Sequence, residues 1–368
     1  MKVSVLTSSR ADYSIYLPLL KALRRDPYFD LNIIAFGTHL SSNYGKTIDQ
    51  ITKDGFTVSK QVESMPSGDH SVDISEAMGK TLVNFSKIWE NDDSDLVFAL
   101  GDRFEMFAAC ASSVPFMKRI AHIHGGEITL GAIDDTFRNC ISHMSTFHFA
   151  TTDFYRDRLR ALMGTDRHIY NVGALSIDNL RSLELMSLSA FKKKFKIDLE
   201  IPSVLITFHP ETVNYEMNEF YIKELIQALN EVKNYQFIFT MPNADTMGSV
   251  IRMHIHEFLK QNSNVIAVES FGTIGYLTCM KYCSFMLGNT SSGFVEASYF
   301  PKYVINLGKR QEGRIISENI QNCEIRKDDI LHHIHTYTQF KMPSVISLYG
   351  NGDTANKIVS IIKSENIE

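Results

Sequence analysis

The feature that most restricts this chain is an alternation that occurs twice. Short apolar runs of strand length are separated by stretches whose apolar residues recur every three or four positions. In the first series, residues 2–7, 31–36, 95–100, 119–123, 146–152 and 168–172 read as buried strands. Residues 16–25 and 104–113 carry the spacing of a helix packed on one face. This βα order predicts a parallel, doubly wound sheet. A polar, lysine-rich segment, 177–202, ends in a proline and precedes a second series of strands at 203–208, 235–240, 264–268, 282–286 and 303–307. Residues 217–232 form a clear amphipathic helix within that series. The expectation is therefore an α/β chain of two Rossmann-like domains, 1–178 and 179–351. Ligands of such sheets bind beyond the carboxyl ends of the strands, and a cleft between two facing domains is the default site. The polar, turn-rich stretch 63–79 reads as a mobile surface loop that could close over a cleft.

Composition removes several function classes. A net charge of -5 argues against nucleic acid or an anionic membrane as partner. No apolar run reaches the roughly 18–20 residues needed to span a bilayer. The apolar start of the chain is too short for a signal peptide, with Arg10 and Asp12 following at once. The five cysteines, Cys110, Cys140, Cys279, Cys283 and Cys323, include no C-x-x-C pair, which argues against a disulfide framework or zinc knuckle. Reduced thiols in a cytoplasmic protein are the expectation.

Polar clusters sit at the strand ends. After the first strand, Ser8, Ser9 and Arg10 at a helix start could bind an anion; alternatively Arg10 is a surface residue and Ser14 a cap. Asp102 and Arg103 follow another strand, either at a switch-point ligand or as a helix cap with a solvated arginine. The stretch 122–135, HIHGGEITLGAIDD, is the densest in ionisable groups. His122 and His124 at i, i+2 share one face if the strand continues, which could suit a metal. Gly125 and Gly126 instead read as backbone that turns tightly or approaches a ligand. Glu127 and Asp134 add carboxylates of the kind that proton removal and return require.

In the second half, His209 lies just past a strand. Thr290, Ser291 and Ser292 lie on a small-residue turn that could cradle phosphate without a lysine, with Glu296 one turn into the next helix and within reach of ribose hydroxyls. A capped, serine-rich turn is the plainer alternative. Arg310 and Arg314 follow the last strand, placed to help with a diphosphate. The histidine-rich pieces 253–258 and 331–335 read as surface helix rather than metal sites.

Taken in order, SSRADY, ALGDRFE, HIHGGE with IDDTFR, NVGALSIDN, FHPET, GNTSSGFVEA, INLGKRQEGR and YGNGDTANKIV resemble the UDP-N-acetylglucosamine 2-epimerase family, most closely its hydrolysing, sialic-acid-pathway branch. The likeness runs almost end to end. It implies a GT-B fold, in which a C-terminal helix, here within 352–368, crosses back to the first domain. It implies nucleotide contacts at Arg10, Ser14, Arg103, His209, Phe271, Thr290, Ser291, Ser292, Glu296 and Arg310, and catalytic groups at Asp102, Glu127, Asp134, Arg138 and His209. Many relatives carry HIEGGE where this chain has His124, so either His124 assumes the role of that carboxylate or Glu127 carries it. Asp134 rather than Asp135 is the better match, because Arg138 follows four residues later. The glycines of 122–135 are then expected to let the backbone approach a hexose.

The resemblance implies conversion of UDP-N-acetylglucosamine and water to N-acetylmannosamine and UDP, by elimination to 2-acetamidoglucal and hydration. It implies no metal and no redox cofactor, a UDP-sugar as partner, and a homodimer or dimer of dimers. Within the family the alternative substrate is UDP-N,N′-diacetylbacillosamine, on the way to legionaminic acid. Outside it, the rivals are a GT-B glycosyltransferase and a nucleotide-sugar-binding module without catalysis.

Overall fold

The computed structural model describes residues 1–42, 45–66, 68–242, 248–339 and 348–365. The chain forms two compact units. One comprises Met1–Glu127, Asp134–Ser182 and Leu348–Glu368, the other Ile128–Ile133 and Leu183–Ser347.

The first unit is built on strands β1 (Lys2–Thr7), β2 (Asp30–Phe36), β3 (Val58–Val62), β4 (Leu96–Leu100), β5 (Ile120–Ile123), β6 (Phe147–Ala150) and β7 (Ile169–Asn171). All pair in parallel, in the order β3-β2-β1-β4-β5-β6-β7. The order reverses between β1 and β4, which creates the switch point where strand ends open onto a ligand. Apolar side chains from both faces of the sheet are buried, as in Val3, Val5, Leu96 and Phe98 on one side and Leu6, Ile34, Val97 and Ala99 on the other. The sequence pattern did not reveal β3. It is an edge strand with exposed Ser59 and Gln61, so it lacks the continuous apolar run of a central parallel strand.

The second unit contains β8 (Ser203–Thr207), β9 (Gln236–Thr240), β10 (Val265–Val268), β11 (Phe285–Gly288), β12 (Val304–Leu307) and β13 (Ile320–Cys323), again all parallel, in the order β10-β9-β8-β11-β12-β13. Its switch point lies between β8 and β11. The strand expected at 282–286 is displaced to Phe285–Gly288, because Tyr282 still belongs to the helix Gly272–Tyr282. The unexpected β13 buries only Ile320 and Cys323 deeply and is too polar to stand out.

One loop expectation needs correction, and the polar segment before the second series holds structure that its composition conceals. Within 63–79, residues from Ser71 onward belong to the helix Ser71–Trp89, whose Ile74, Ala77, Thr81, Phe85 and Trp89 are buried at helical spacing. The periodicity lies mostly beyond the polar stretch that suggested a loop; residue 67 is outside the described residues. The segment 177–202 likewise contains helix: Leu175–Ser182 in the first unit and Leu188–Phe195 in the second. Phe191 of the latter is fully buried in a core with Ile197 and Leu199, which the surrounding lysines conceal in the sequence.

The segment Ile128–Ile133 packs with the second unit. Leu130 N donates to Glu312 O at 3.0 Å, and Ile133 N donates to Thr212 Oγ1 at 2.9 Å. A β-carbon on Gly131 would stand 2.4 Å from Lys309 O, so glycine is required there by close backbone packing.

The C-terminal helix Thr354–Ser364 belongs to the first unit and adds Ala355, Ile358 and Ile362 to its core; residues 366–368 are outside the described residues. Its start is held by Asp178, which accepts from Thr354 N at 3.0 Å and Ala355 N at 2.7 Å. The carboxylate satisfies two amides that have no partner within the helix and meets the positive end of its dipole. Asp178→Ala is expected to destabilise the fold by about 1–3 kcal/mol, the usual cost of leaving such buried donors unmade. Calorimetric melting together with amide exchange at residues 354–358 measures this; an unchanged melting temperature and unchanged protection would show that the helix is held by its apolar face alone.

Candidate active site

In the first unit the carboxyl ends of β4, β5 and β6 bring the ionisable residues together. Arg138, on the helix Asp134–His143, pairs with Asp102 just past β4 and donates through Nη1 to the Glu127 carbonyl at 2.8 Å. Asp135 Oδ1 lies 3.6 Å from the same guanidinium. Asp134 opens that helix, so both of its acids sit where the helix dipole favours negative charge. Arg158 donates to Gly126 O at 3.0 Å and to Glu127 O at 3.3 Å, a second clamp on the same turn.

The two histidines of the stretch part company. β5 ends at Ile123, and His124 takes a left-handed backbone with φ 68°, so the shared face expected for His122 and His124 does not form. His122 is fully buried, with Nδ1 3.0 Å from Ser142 Oγ and Nε2 2.8 Å from the Gly101 carbonyl. His124 Nδ1 stands 2.9 Å from Glu127 Oε1 instead. The same oxygen accepts from Thr151 Oγ1 at 3.0 Å. Among the described residues no group of three or more His, Cys, Asp or Glu is arranged to hold a metal ion.

Gly126 is required by packing within the protein. A β-carbon on it, with φ 78°, would lie 2.5 Å from the Tyr155 carbonyl. The close approach is to the helix Asp153–Met163.

At the end of β1 the anion-binding expectation is partly overturned. Ser8 N and Ser9 N donate to Asp12 Oδ2 at 2.9 and 3.0 Å, within a capping box at Ser9. Burial pushes the Asp12 carboxyl up, but His39, Thr7 and Ser8 outweigh it and hold its pKa below the usual range. A buried carboxylate thus already occupies the amide donors that a phosphate would use. Arg10, at the first position of the helix, remains partly exposed. Ser9, not Ser14, is the cap; Ser14 lies inside the helix, and its carbonyl accepts from Asn179 Nδ2 at 2.6 Å. Arg103 Nε pairs with buried Glu105 at 2.7 Å.

The second unit carries the remaining candidates at the ends of β8, β10, β11 and β12. His209 is clamped through its backbone: its N–H donates to Asn289 Oδ1 at 2.7 Å, and Asn289 Nδ2 donates to its carbonyl at 2.8 Å. Gln311 Nε2 donates to Asn289 O at 2.9 Å, and Arg314 Nε donates to Gln311 Oε1 at 2.6 Å. Arg314, expected beside a diphosphate, is buried and braces this chain of amides. Glu211 accepts from Lys309 N at 2.6 Å, which fixes the backbone next to Arg310. Burial pushes the Glu211 carboxyl up, against the lowering effect of the Lys309 and Arg310 amides.

Thr290 caps the short turn Ser291–Gly293, and Ser292 Oγ lies 2.5 Å from Tyr276 OH. Glu296 is the first residue of the short helix Glu296–Tyr299, not one turn inside a longer one. The Phe271 ring is 4% exposed and packs on Phe191 and Phe195, so its contribution to a ligand would come from backbone at the start of the helix Gly272–Tyr282.

Sequence reasoning missed Thr151, Asn289, Gln311, Glu211 and Asp12. Each follows the carboxyl end of a strand by a few residues, and that position was the available signal. Their roles were hidden because they bond to other protein groups rather than standing out as a motif.

Comparison with known proteins places these features in context. The family model described as UDP-N-acetylglucosamine 2-epimerase matches residues 21–363. The chain is 32% identical over 329 residues to GDP/UDP-N,N′-diacetylbacillosamine 2-epimerase (hydrolyzing) of Campylobacter jejuni, covering 89% of this chain and 85% of the relative. It is 32% identical over 351 residues to polysialic acid biosynthesis protein P7 of Escherichia coli, covering 95% and 89%. The crystal structure of UDP-GlcNAc 2-epimerase from Neisseria meningitidis bound to UDP-GlcNAc superposes with a TM-score of 0.85 at 17% identity, over 99% of this chain and all of the other. That likeness shows the fold, two Rossmann-like parallel-sheet domains of the GT-B type.

His122 gives the site a measurable pH signature. Burial pushes its imidazole down to about 3, with the Gly101 carbonyl bond opposing. In the unfolded chain the same group titrates near about 6.5. The neutral form is thus favoured by folding, and this contribution is present above about pH 6.5 and lost as pH falls toward the folded value. By pH 5 the loss amounts to about 2 kcal/mol. His122→Gln, which cannot charge, is expected to lose less melting temperature between pH 7 and pH 5 than the wild type. Equal losses in the two proteins would show that His122 is not held neutral.

Proposed function

We propose a hydrolysing epimerase: the chain belongs to the UDP-N-acetylglucosamine 2-epimerase family, and its side chains suit elimination of UDP from a UDP-2-acetamido sugar followed by hydration. The substrate in this reading is UDP-N-acetylglucosamine, and the products are N-acetylmannosamine and UDP, in a cytoplasmic route to a sialic acid carried out by a homodimer. The observation that carries it is the His124–Glu127 pair beside the Arg138–Asp102 pair, all at the carboxyl ends of one parallel sheet. Elimination requires a base for the C2 proton and a leaving group whose charge is met. Hydration requires an acid that returns a proton to C2 from the other face, together with water at C1. His124 with Glu127 supplies one proton-transfer group, and Asp102 and Asp134 supply the other.

UDP is assigned, as part of this proposal, to Arg10, Ser14, Arg103, His209, Phe271, Thr290, Ser291, Ser292, Glu296 and Arg310. Arginines and helix-start amides match a diphosphate in charge and hydrogen-bonding capacity. UDP-N,N′-diacetylbacillosamine is a second reading, favoured by the Campylobacter jejuni relative, whose name gives that substrate.

An NMR time course in D2O with each sugar nucleotide tests the assignment. The expected outcome is release of UDP with a free 2-acetamido sugar carrying deuterium at C2. The preferred sugar decides between the substrates. Transfer to an added acceptor, or UDP release without deuterium at C2, would overturn the reading. Asp102→Asn and Asp134→Asn are expected to keep UDP affinity within roughly tenfold and to lower turnover by about 10²–10⁴, the usual effect of losing acid/base assistance. Near wild-type turnover in both would remove these carboxylates from the chemistry.

A further inference from the structure

We infer that Nε2 of His124 is the base that takes the C2 proton, and that Glu127 and Thr151 are positioning residues which hold that imidazole in the reactive tautomer. The inference rests on the reaction proposed above and assigns roles within it.

Three independent observations converge on His124. Its backbone has φ 68°, a left-handed conformation that a β-carbon disfavours. Its N–H donates to the Phe149 carbonyl at 3.0 Å, which holds the residue in that conformation across the ends of β5 and β6. Its Nε2 is buried and makes no hydrogen bond among the described residues, although the residue is only 9% exposed. An unfilled buried imine nitrogen is costly, and native chains retain such groups where chemistry needs them.

The other ring nitrogen determines what Nε2 can do. Glu127 Oε1 is 2.9 Å from His124 Nδ1 and 3.0 Å from Thr151 Oγ1. A carboxylate can only accept, so Nδ1 carries the proton and Nε2 presents its lone pair. Glu127 is 2% exposed, and this oxygen already holds two donors. It is therefore placed to orient the imidazole and to stabilise the imidazolium rather than to meet the sugar itself. Thr151 sits directly after β6, and its hydroxyl fixes the carboxylate in turn.

The step balances without another reactant. The C2–H bond breaks and its proton goes to Nε2. The bonding pair forms the C1–C2 double bond, and the C1–O pair leaves with UDP. Water then supplies the hydroxyl at C1, a separate acid protonates C2, and the imidazolium gives its proton to solvent. Inversion at C2 needs two groups, and His124 accounts for the removal.

The experiment uses the full-length protein with UDP-N-acetylglucosamine and UDP-N,N′-diacetylbacillosamine in D2O. Wild-type UDP release with deuterium at C2 establishes the reaction by itself. His124→Gly is the informative variant, because glycine adopts φ 68° freely and the loop need not refold. It is expected to lose roughly 10²–10⁴ in kcat and to regain turnover in proportion to added imidazole. Glu127→Gln and Thr151→Val are expected to lose roughly 10- to 100-fold in kcat with little change in KM, as misorientation rather than removal of the base. Thr151→Ser should restore the wild-type rate.

Nitrogen-15 NMR of the histidines gives a readout independent of turnover. The resonance absent from His124→Gly should report an Nδ1-protonated ring in the wild type and a mixture of tautomers in Glu127→Gln. A wild-type ring protonated on Nε2 would overturn the inference. So would a His124→Gly enzyme of normal rate beside an inactive Glu127→Gln, which would make Glu127 the base. If the wild type releases no UDP from either sugar, the proposed reaction fails, while the tautomer measurement still decides the geometry.

Discussion

Arg138 is the interaction on which the first unit's site depends. A guanidinium does not give up its proton, and this one is only 3% exposed. Such a charge is tolerated when carboxylates and carbonyls surround it. Asp102, the Glu127 carbonyl and Asp135 do so, which ties the ends of β4 and β5 to the helix Asp134–His143. The Glu127 carbonyl is fixed twice, since Arg158 reaches it as well. With its backbone held from two sides, the Glu127 side chain has little freedom except toward His124 and Thr151.

The second unit holds its loop chiefly through amide side chains. Around His209, Asn289 matches both the donor and the acceptor of one peptide, and Gln311 passes the connection on to Arg314. An amide side chain that satisfies a peptide in both directions fixes a loop without adding charge beside a position proposed to hold a diphosphate. Glu211 is the acidic exception; it is buried and accepts from two backbone amides. The difference suits the chemistry proposed for each unit. Proton transfer needs ionisable groups close together, whereas anion binding is weakened by every nearby carboxylate that is not neutralised.

Most of the architecture was legible because central parallel strands are buried on both faces and read as apolar runs. The strands that escaped, β3 and β13, are edges with polar residues on the exposed side. The helix starting at Ser71 escaped because only Ile74 and Ala77 of its buried positions fall within the polar stretch, while Thr81, Phe85 and Trp89 come later. At the site, Asp102, Arg138, Glu127 and His124 were legible as residues, and the structure brings them into one network. Their partners were not. Nothing about Thr151 or Asn289 in isolation distinguishes a threonine or asparagine that fixes a neighbour from one that merely ends a strand. A glycine such as Gly126 shows in the sequence that backbone must come close without showing to what, and the Tyr155 carbonyl is the neighbour that packing supplies.

The Tyr155 carbonyl occupies the space where a β-carbon on Gly126 would sit, and the Phe149 carbonyl holds His124 at φ 68°. Both constraints come from protein packing. The unfavourable backbone of His124 and the unfilled valence at its Nε2 are thus costs met by folding, offset by the core beneath β5 and β6 rather than by ligand binding. In the proposed reaction, a group oriented in advance loses little freedom as the reaction begins, and its dipoles need not reorganise as charge moves from the sugar to UDP. The stability of the sheet would then be what holds the left-handed histidine ready.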